Sequence, residues 1–186
     1  LEGYLFPSTY TLPADSSSDA IIKAMLNKYN SVFTSEYKAK AKKLGYSENE
    51  IMIIASIIEK ESGVDKDREK IASVIYNRLK INMPLQMDST VQYVLGLDNN
   101  RKKDLSIDDT QVDSAYNTYK NAGLPPGPIC CPGEESIKAA LNPVSTKYLY
   151  FILSDKQDAS MAFSTTYKQF LKDKDAYYKA RDKKGN

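Results

Sequence analysis

The sequence predicts an α+β fold that is mostly helical and includes one small antiparallel β element. Apolar residues recur at helical spacing in four segments, and a Lys/Ala-rich stretch adds a short fifth helix. Two apolar runs, 148–153 and 161–164, flank a polar turn, which is typical of a β-hairpin. With 186 residues, 41% of them hydrophobic, the chain is long and apolar enough to bury the core of one domain. The predicted helices cover 18–33, 35–44, 51–63, 67–80 and 166–183.

The segments between the helices carry capping and loop signals. Residues 47–50 (Ser-Glu-Asn-Glu) form a capping box in front of the most apolar run of the chain, and Gly63 offers a stop after it. Residues 1–13 are aromatic and interrupted by proline, so we expect an extended lead-in. Residues 98–114 are charged and 123–128 are rich in Gly and Pro, so both are predicted to be loops.

Charge and hydropathy exclude several classes of function. The 26 basic and 24 acidic residues leave a net charge of +2, which gives no support for binding nucleic acid or a membrane surface. No run of about 18 apolar residues occurs, so no bilayer span is predicted. Because the chain begins at Leu1 without a signal-peptide pattern, we expect it to be a fragment of a longer protein.

The chain contains no histidine, which restricts the chemistry of any active site. The absence excludes Ser-His-Asp and Cys-His triads, His-based zinc sites and imidazole bases. Proton transfer must therefore use carboxylates, Tyr, Lys or Cys, and we expect neither a metal nor a cofactor. The adjacent pair Cys130 and Cys131 is too small for a closed zinc site; it is either a strained vicinal disulfide or two small turn residues.

Glu61 is the candidate catalytic residue because helical spacing places it beside an apolar stripe. It follows Ile54 by seven positions and Ile58 by three, whereas Glu59 and Lys60 are predicted to face the opposite side. Burial would raise the pKa of the Glu61 carboxyl, and the negative end of the helix dipole acts in the same direction.

A carboxylic acid that stays protonated near neutral pH is what general-acid cleavage of a glycosidic bond requires. Such an acid is expected to work best on the acidic to neutral side. The alternative is a structural glutamate that pairs with a lysine or caps a neighbouring loop.

Several blocks of sequence resemble one family of enzymes. Residues 55–62 (ASIIEKES) resemble the helix of lysozyme-like lytic transglycosylases, in which an apolar run ends in a catalytic Glu-Ser pair. Further blocks occur in family order over roughly residues 1–165, and on them the chain is identified as a member of the MltG (YceG-like) family of endolytic murein transglycosylases. These blocks are LEGYLFP with Thr9-Tyr10, ASVIYNRL at 72–79, MPLQMDSTV at 83–91, YNTY at 116–119, GLPPGPI at 123–129, Pro132-Gly133, Ser136-Ile137, AALNP at 139–143 and YLYF at 148–151.

The resemblance implies the fold, the substrate and the location. Residues 1–186 would form the family's α+β catalytic domain, lysozyme-like around the glutamate, with 166–186 as a C-terminal helix and tail. A transmembrane anchor and a LysM-like region would precede this fragment and hold the parent protein at the extracytoplasmic face of the cell membrane. The substrate would be peptidoglycan glycan strands, cut internally during cell-wall assembly and strand termination. Peptidoglycan synthases would be candidate partners, and no cofactor is implied.

The resemblance also implies a mechanism in which Glu61 acts twice. As an acid it would protonate the departing GlcNAc oxygen, and as a base it would take the proton from the C6 hydroxyl of MurNAc. That hydroxyl would close onto C1 to give a 1,6-anhydro end. One carboxylate could suffice, because the N-acetyl group of the substrate can supply the stabilisation that a second carboxylate gives in lysozyme.

Five residues are candidates for binding the sugar: Gln86, Asp88, Tyr116, Asn117 and Tyr119. Asp88 is either an assisting carboxylate or the N-cap of a helix from Ser89. The amides and tyrosines could grip acetamido groups and sugar rings, or the segment 116–119 could simply be a turn packed under the proline loop.

Other residues near the site have more ordinary roles or depart from the family. Asn77 is predicted to be structural, and Ser62 either bonds to Glu61 or ends the helix. Met161 stands where many family members carry a histidine, so that side of the cleft is expected to differ. The rival functions are a hydrolytic muramidase and a non-catalytic peptidoglycan-binding domain.

Overall fold

The computed structural model describes residues 1–96, 100, 102, 104–156 and 158–184. Helices dominate this part of the chain, and a two-stranded antiparallel sheet completes it, so the predicted α+β class is confirmed. Two short 3-10 turns lie at Asp65–Asp67 and Asp109–Gln111. The helices are α1 (Ser18–Val32), α2 (Ser35–Leu44), α3 (Glu48–Glu61), α4 (Arg68–Lys80), α5 (Asp88–Val94), α6 (Glu134–Leu141) and α7 (Tyr167–Lys184); the strands are β1 (Tyr150–Leu153) and β2 (Met161–Ser164).

Helix α3 is the centre of the core. Every residue from Ile51 to Ile58 is buried, so the helix is enclosed on all sides rather than along one stripe. Helix α6 packs along it, and α2, α4 and α5 contact it from other directions. Ser56 is the polar exception in this run, and its hydroxyl both donates to the Ile53 carbonyl and accepts the Ile129 N–H.

The capping box predicted at the start of α3 is confirmed. Ser47 is the N-cap, its hydroxyl accepts the N–H of Glu50 at 3.2 Å, and the Glu50 carboxylate accepts the N–H of Ser47 at 2.7 Å. The backbone hydrogen bond from Ser47 lowers the pKa of the Glu50 carboxyl. The stabilising contribution of Glu50 is therefore present at neutral pH and is lost as the pH falls through this lowered pKa.

The hairpin forms where the sequence predicts it, although β1 is shorter than the predicted 148–153. Tyr150 pairs with Ser164 and Leu153 with Met161, and α7 packs against both strands. The buried Asp67 carboxylate accepts the N–H of Met161 at 2.7 Å, which ties the hairpin to the start of α4.

The charged segment 98–114 is only partly described. Residues 98, 99, 101 and 103 of this predicted loop lie outside the described residues. The rest contains the 3-10 turn and an ion pair between Lys102 and Asp109 at 2.7 Å. Within the described ranges, no helix combines the length and the apolar character needed to cross a bilayer.

Replacing Ser47 with Ala should lower the free energy of unfolding by about 1 kcal/mol, because the N-cap hydrogen bond of α3 is lost. Urea unfolding at neutral pH measures the change, and Ser31→Ala, which removes an exposed hydroxyl from the last turn of α1, is the matched control. Equal stability of the Ser47→Ala variant and the wild-type chain would contradict a stabilising cap.

Candidate functional site

Glu61 is the last residue of α3 and its side chain is directed toward the start of α5. The residue is half-buried, and its Oε1 accepts the backbone N–H of Ser89 at 3.0 Å. Because α5 packs against α3, this contact joins two segments that lie 28 positions apart in the sequence. The Glu61 carboxyl therefore lies where the C-terminal end of α3 meets the start of α5.

Asp88 and Tyr119 complete a cluster around this carboxyl. The Tyr119 hydroxyl donates to Asp88 Oδ1, and the side chains of both residues are half-buried. Burial raises the pKa of Tyr119, and the negative charges of Asp88 and Glu61 raise it further. Tyr119 consequently stays protonated at neutral and moderately alkaline pH and remains a hydrogen-bond donor.

The carboxyls of Glu61 and Asp88 both lie near the Tyr119 hydroxyl. Together with the Ser89 N–H that bonds to Glu61, they form one polar cluster where the end of α3 meets the start of α5.

Asp88 is the first residue of α5 rather than its cap. The N-cap position belongs to Met87, so the alternative in which Asp88 caps a helix beginning at Ser89 is wrong. Its carboxylate is instead held by Tyr119 beside Glu61.

Gln86 lies at the rim of the cluster with an exposed side chain. Its backbone has a φ of 50°, in the left-handed region that residues other than glycine rarely adopt. The Gln86 N–H donates to the Thr118 carbonyl at 3.0 Å, and the next N–H, of Met87, donates to the Thr118 hydroxyl at 3.0 Å. These bonds hold the strained turn that presents Gln86.

Asn117 is fully buried, and its side-chain amide is hydrogen-bonded to the surrounding backbone. Its Nδ2 donates to the carbonyls of Thr110 and Val112 at 3.0 and 2.8 Å, and its Oδ1 accepts the N–H of Tyr119 at 3.0 Å. In this arrangement the Asn117 amide has no hydrogen left for a sugar and shapes the loop that carries Tyr119.

Tyr116 packs beside the Gly/Pro-rich loop. Its ring lies 5.0 Å from the ring of Tyr93, and a Cβ added to Gly127 would come within 2.9 Å of the Tyr116 hydroxyl oxygen. This placement agrees with the alternative in which residues 116–119 form a turn under the proline loop.

Arg78 stabilises the turn that carries Gln86. It is not among the site residues predicted from the sequence. Its guanidinium donates to the carbonyls of Pro84, Leu85 and Leu149 at 3.1, 2.7 and 2.6 Å. Burial lowers the pKa of Arg78, although a guanidinium remains charged at any physiological pH. Its helical spacing does indicate this role, because Arg78 continues the apolar stripe of α4 and an arginine on such a stripe is expected to be buried.

Glu59 is not directed to solvent, so that prediction is wrong. Its Oε2 accepts from Arg68 Nη1 at 3.2 Å, from the Gly133 N–H at 3.2 Å and from the Ser136 hydroxyl at 2.6 Å. Because Gly133 is the N-cap of α6 and Ser136 lies in its first turn, the carboxylate lies at the positive end of that helix dipole. The cluster anchors α3 two residues before Glu61.

Four other predicted positions have clear surroundings. Asn77 is structural as predicted, with Nδ2 donating to two carbonyls before β1. Ser62 caps the end of α3, and its hydroxyl donates to the Val64 carbonyl at 2.7 Å. No disulfide joins Cys130 to Cys131 in the structure, and the Cys130 thiol donates to the Ser56 carbonyl at 3.4 Å.

Comparison with known proteins identifies the family. Residues 1–176 match the model of the YceG-like family, so the chain belongs to that family. A crystal structure of a YceG-like protein from Listeria monocytogenes superposes with a TM-score of 0.83 and 42% sequence identity, covering 91% of this chain and 54% of that one.

Two curated relatives carry a functional name. A protein of Bacillus subtilis (strain 168) named "Endolytic murein transglycosylase" is 45% identical over 99% of this chain and 50% of its own length. A protein of the same name from Streptococcus pneumoniae (strain ATCC BAA-255 / R6) is 40% identical over 82% of this chain and 28% of its own length. The chain therefore spans half or less of these relatives.

Replacing Arg78 with Lys should lower the free energy of unfolding by roughly 1–3 kcal/mol, because a compact ammonium lacks the planar, forked shape with which the guanidinium reaches three separate carbonyls. Urea unfolding measures the loss. Arg181→Lys is the matched control, since Arg181 pairs with Asp104 at the surface and should change stability by less than about 1 kcal/mol. Similar losses in both variants would contradict the role given to Arg78.

Proposed function

We propose that this chain is the catalytic region of a peptidoglycan lytic transglycosylase that cuts within glycan strands. The observation that carries the proposal is the position of Glu61, whose carboxyl accepts the Ser89 N–H and lies near the Tyr119–Asp88 pair at the end of the central helix. The name shared by the relatives supports murein as the substrate and an internal site of cutting.

In the proposed reaction, Glu61 first acts as the general acid. It gives its proton to the glycosidic oxygen of the departing GlcNAc, and the bond from that oxygen to C1 of MurNAc breaks. The positive charge that develops at C1 is stabilised by the neighbouring N-acetyl group of the substrate and by the negative charge of Asp88. Asp88 is suited to this because Tyr119 holds it in place.

Glu61 then acts as the base. Its carboxylate takes the proton of the MurNAc C6 hydroxyl while O6 bonds to C1, which yields a 1,6-anhydro end and returns Glu61 to its protonated form. The protons balance within the substrate and this one side chain, so water is not a reactant. The reaction is thus of the lyase type.

The remaining candidate residues fall into two groups: those that contact the sugar and those that support the loop beside it. Gln86 and Tyr119 are proposed to contact the sugar, because Gln86 is exposed on its strained turn and Tyr119 lies beside Glu61. Asn117 and Tyr116 are proposed to support the loop that presents Tyr119.

The cellular setting is also part of the proposal. Residues 1–186 would form one catalytic domain that resembles lysozyme around Glu61. The parent protein would be membrane-anchored through an N-terminal segment followed by a LysM-like region, with this domain outside the cytoplasmic membrane. Glycan strands would be its substrate during wall assembly, and peptidoglycan synthases its protein partners.

Replacing Glu61 with Gln should reduce the cleavage of purified glycan strands by roughly 10²- to 10⁴-fold, because the amide cannot donate an acidic proton. The products are weighed by mass spectrometry, and binding to sacculi is measured in parallel. Glu69→Gln, an equal change on the exposed face of α4, is the control and should retain activity.

Each rival function gives a different result in this experiment. Products that carry reducing ends, heavier by one water than anhydro ends, would indicate a muramidase. Binding without cleavage by the wild-type chain would indicate a binding domain, and unchanged cleavage by Glu61→Gln would remove the assignment of Glu61.

Replacing Tyr119 with Phe should lower kcat/KM by roughly ten- to a hundredfold, because the Asp88 carboxylate loses a hydrogen bond from a neutral donor. Steady-state kinetics on glycan strands measures the effect. Tyr10→Phe removes a hydroxyl that bonds to the Phe6 carbonyl in the lead-in and should leave kcat/KM unchanged. Full activity of Tyr119→Phe would show that the Tyr119–Asp88 pair does not serve catalysis.

A further inference from the structure

The hydroxyl of Ser89 is buried without a hydrogen-bond partner. Ser89 is only 3% exposed, and its Oγ is the buried side-chain atom without a partner among the described residues. Leaving a buried hydroxyl unpaired is unfavourable, because the group loses its hydrogen bonds to water and gains none in the protein, so such groups are rare in folded proteins. The cost is incurred one residue from Asp88 and in direct contact with Glu61.

The unpaired hydroxyl belongs to the residue whose backbone already contacts the Glu61 carboxyl. The backbone N–H of the same residue already donates to Glu61 Oε1 at 3.0 Å. Rotation about the Cα–Cβ bond of a serine moves Oγ between three staggered positions, two of which lie close to its own backbone nitrogen. A hydroxyl hydrogen also turns freely to suit an acceptor.

We propose that Ser89 is a positioning residue whose hydroxyl turns to donate a second hydrogen bond to Glu61 when that carboxylate is ionised. The inference rests on the proposed function, in which Glu61 loses its proton in the first step and regains it in the second. The Ser89 proton stays on its oxygen throughout, and the hydrogen bond weakens when Glu61 is protonated. The Ser89 hydroxyl is thus a hydrogen-bond donor to Glu61 only in the stage of the reaction at which Glu61 is ionised.

Two neighbouring donors are engaged with other groups. The Tyr119 hydroxyl is donated to Asp88, and Arg78 binds three backbone carbonyls. Asp88 carries the same charge as the ionised Glu61, and Lys60 precedes Glu61 on the same helix. A hydrogen bond from the Ser89 hydroxyl would add to the one that Glu61 accepts from the Ser89 N–H.

The direction in which the Glu61 titration midpoint moves depends on whether the hydrogen bond stabilises the ionised or the protonated carboxyl. A hydrogen bond donated to the carboxylate favours ionisation, so its removal makes Glu61 hold its proton to higher pH. Ser89→Ala should move the midpoint of the Glu61 carboxyl titration upward by about one pH unit, since one unit corresponds to the strength of one such bond. The alkaline limb of the pH–rate profile should move with it, and kcat should fall more than KM changes.

The titration is followed by carbon-13 NMR of the full chain, with Glu61→Gln used to identify the resonance. Ser73→Ala is the matched control, because it also removes a buried serine hydroxyl, one that pairs with Thr146 away from the site. It should change stability without moving the Glu61 midpoint. A midpoint in Ser89→Ala that stays at the wild-type value, or moves downward, would overturn the proposal.

Failure of the proposed function would have a different signature. If Glu61→Gln still cleaves glycan while the midpoint moves in Ser89→Ala, the hydrogen bond is real and the catalytic assignment of Glu61 is wrong. If Glu61→Gln is inactive and the midpoint does not move, the catalytic assignment stands and the role of Ser89 is wrong.

Discussion

The complete burial of α3 is the constraint on which the site depends. A helix enclosed on all sides by apolar contacts cannot rotate about its axis without opening the core, so the direction of each side chain at its end is fixed. The Glu59 carboxylate adds a second restraint by binding the first turn of α6 and Arg68. Glu61 follows two residues later and is thereby directed to the start of α5.

The opposite side of the site is held by polar contacts rather than by apolar packing. Arg78 binds the carbonyls of the turn before α5, and the buried hydroxyls of Thr90 and Thr118 pair at 2.9 Å beneath it. Asn117 fastens the loop of Tyr119 to its own backbone. Networks of this kind contribute most to stability when every polar group has a hydrogen-bond partner. Among the described residues, the buried Ser89 hydroxyl has none, and this is why we look for a functional explanation.

The fold class, five of the seven described helices and the position of Glu61 could be predicted from the sequence because they depend on local patterns, whereas α5 and α6 were not among the predicted helices. The capping box fixes where α3 begins, and helical spacing then fixes the side on which Glu61 emerges. The hairpin was visible for the same reason, since strand pairing across a short turn is a short-range pattern.

The contacts of the site were not predictable in the same way. Asp88 and Tyr119 meet across 31 positions, and nothing in the spacing of either residue indicates the other. Glu59 was predicted to face solvent because helical periodicity gives only the direction of a side chain. It does not show that another helix, here α6, packs against that side of α3. Asn117 was assigned to the substrate because an amide in a loop looks the same in sequence whether it faces a ligand or three backbone groups.

The most direct test of this account is a crystal structure of the Glu61→Gln variant with a bound glycan fragment that spans the cleavage site. The account predicts that the side-chain amide of residue 61 lies within hydrogen-bond distance of the glycosidic oxygen between MurNAc and GlcNAc, with Asp88 on the side of C1. A fragment bound on another face of the domain, with residue 61 out of reach of any glycosidic oxygen, would contradict it.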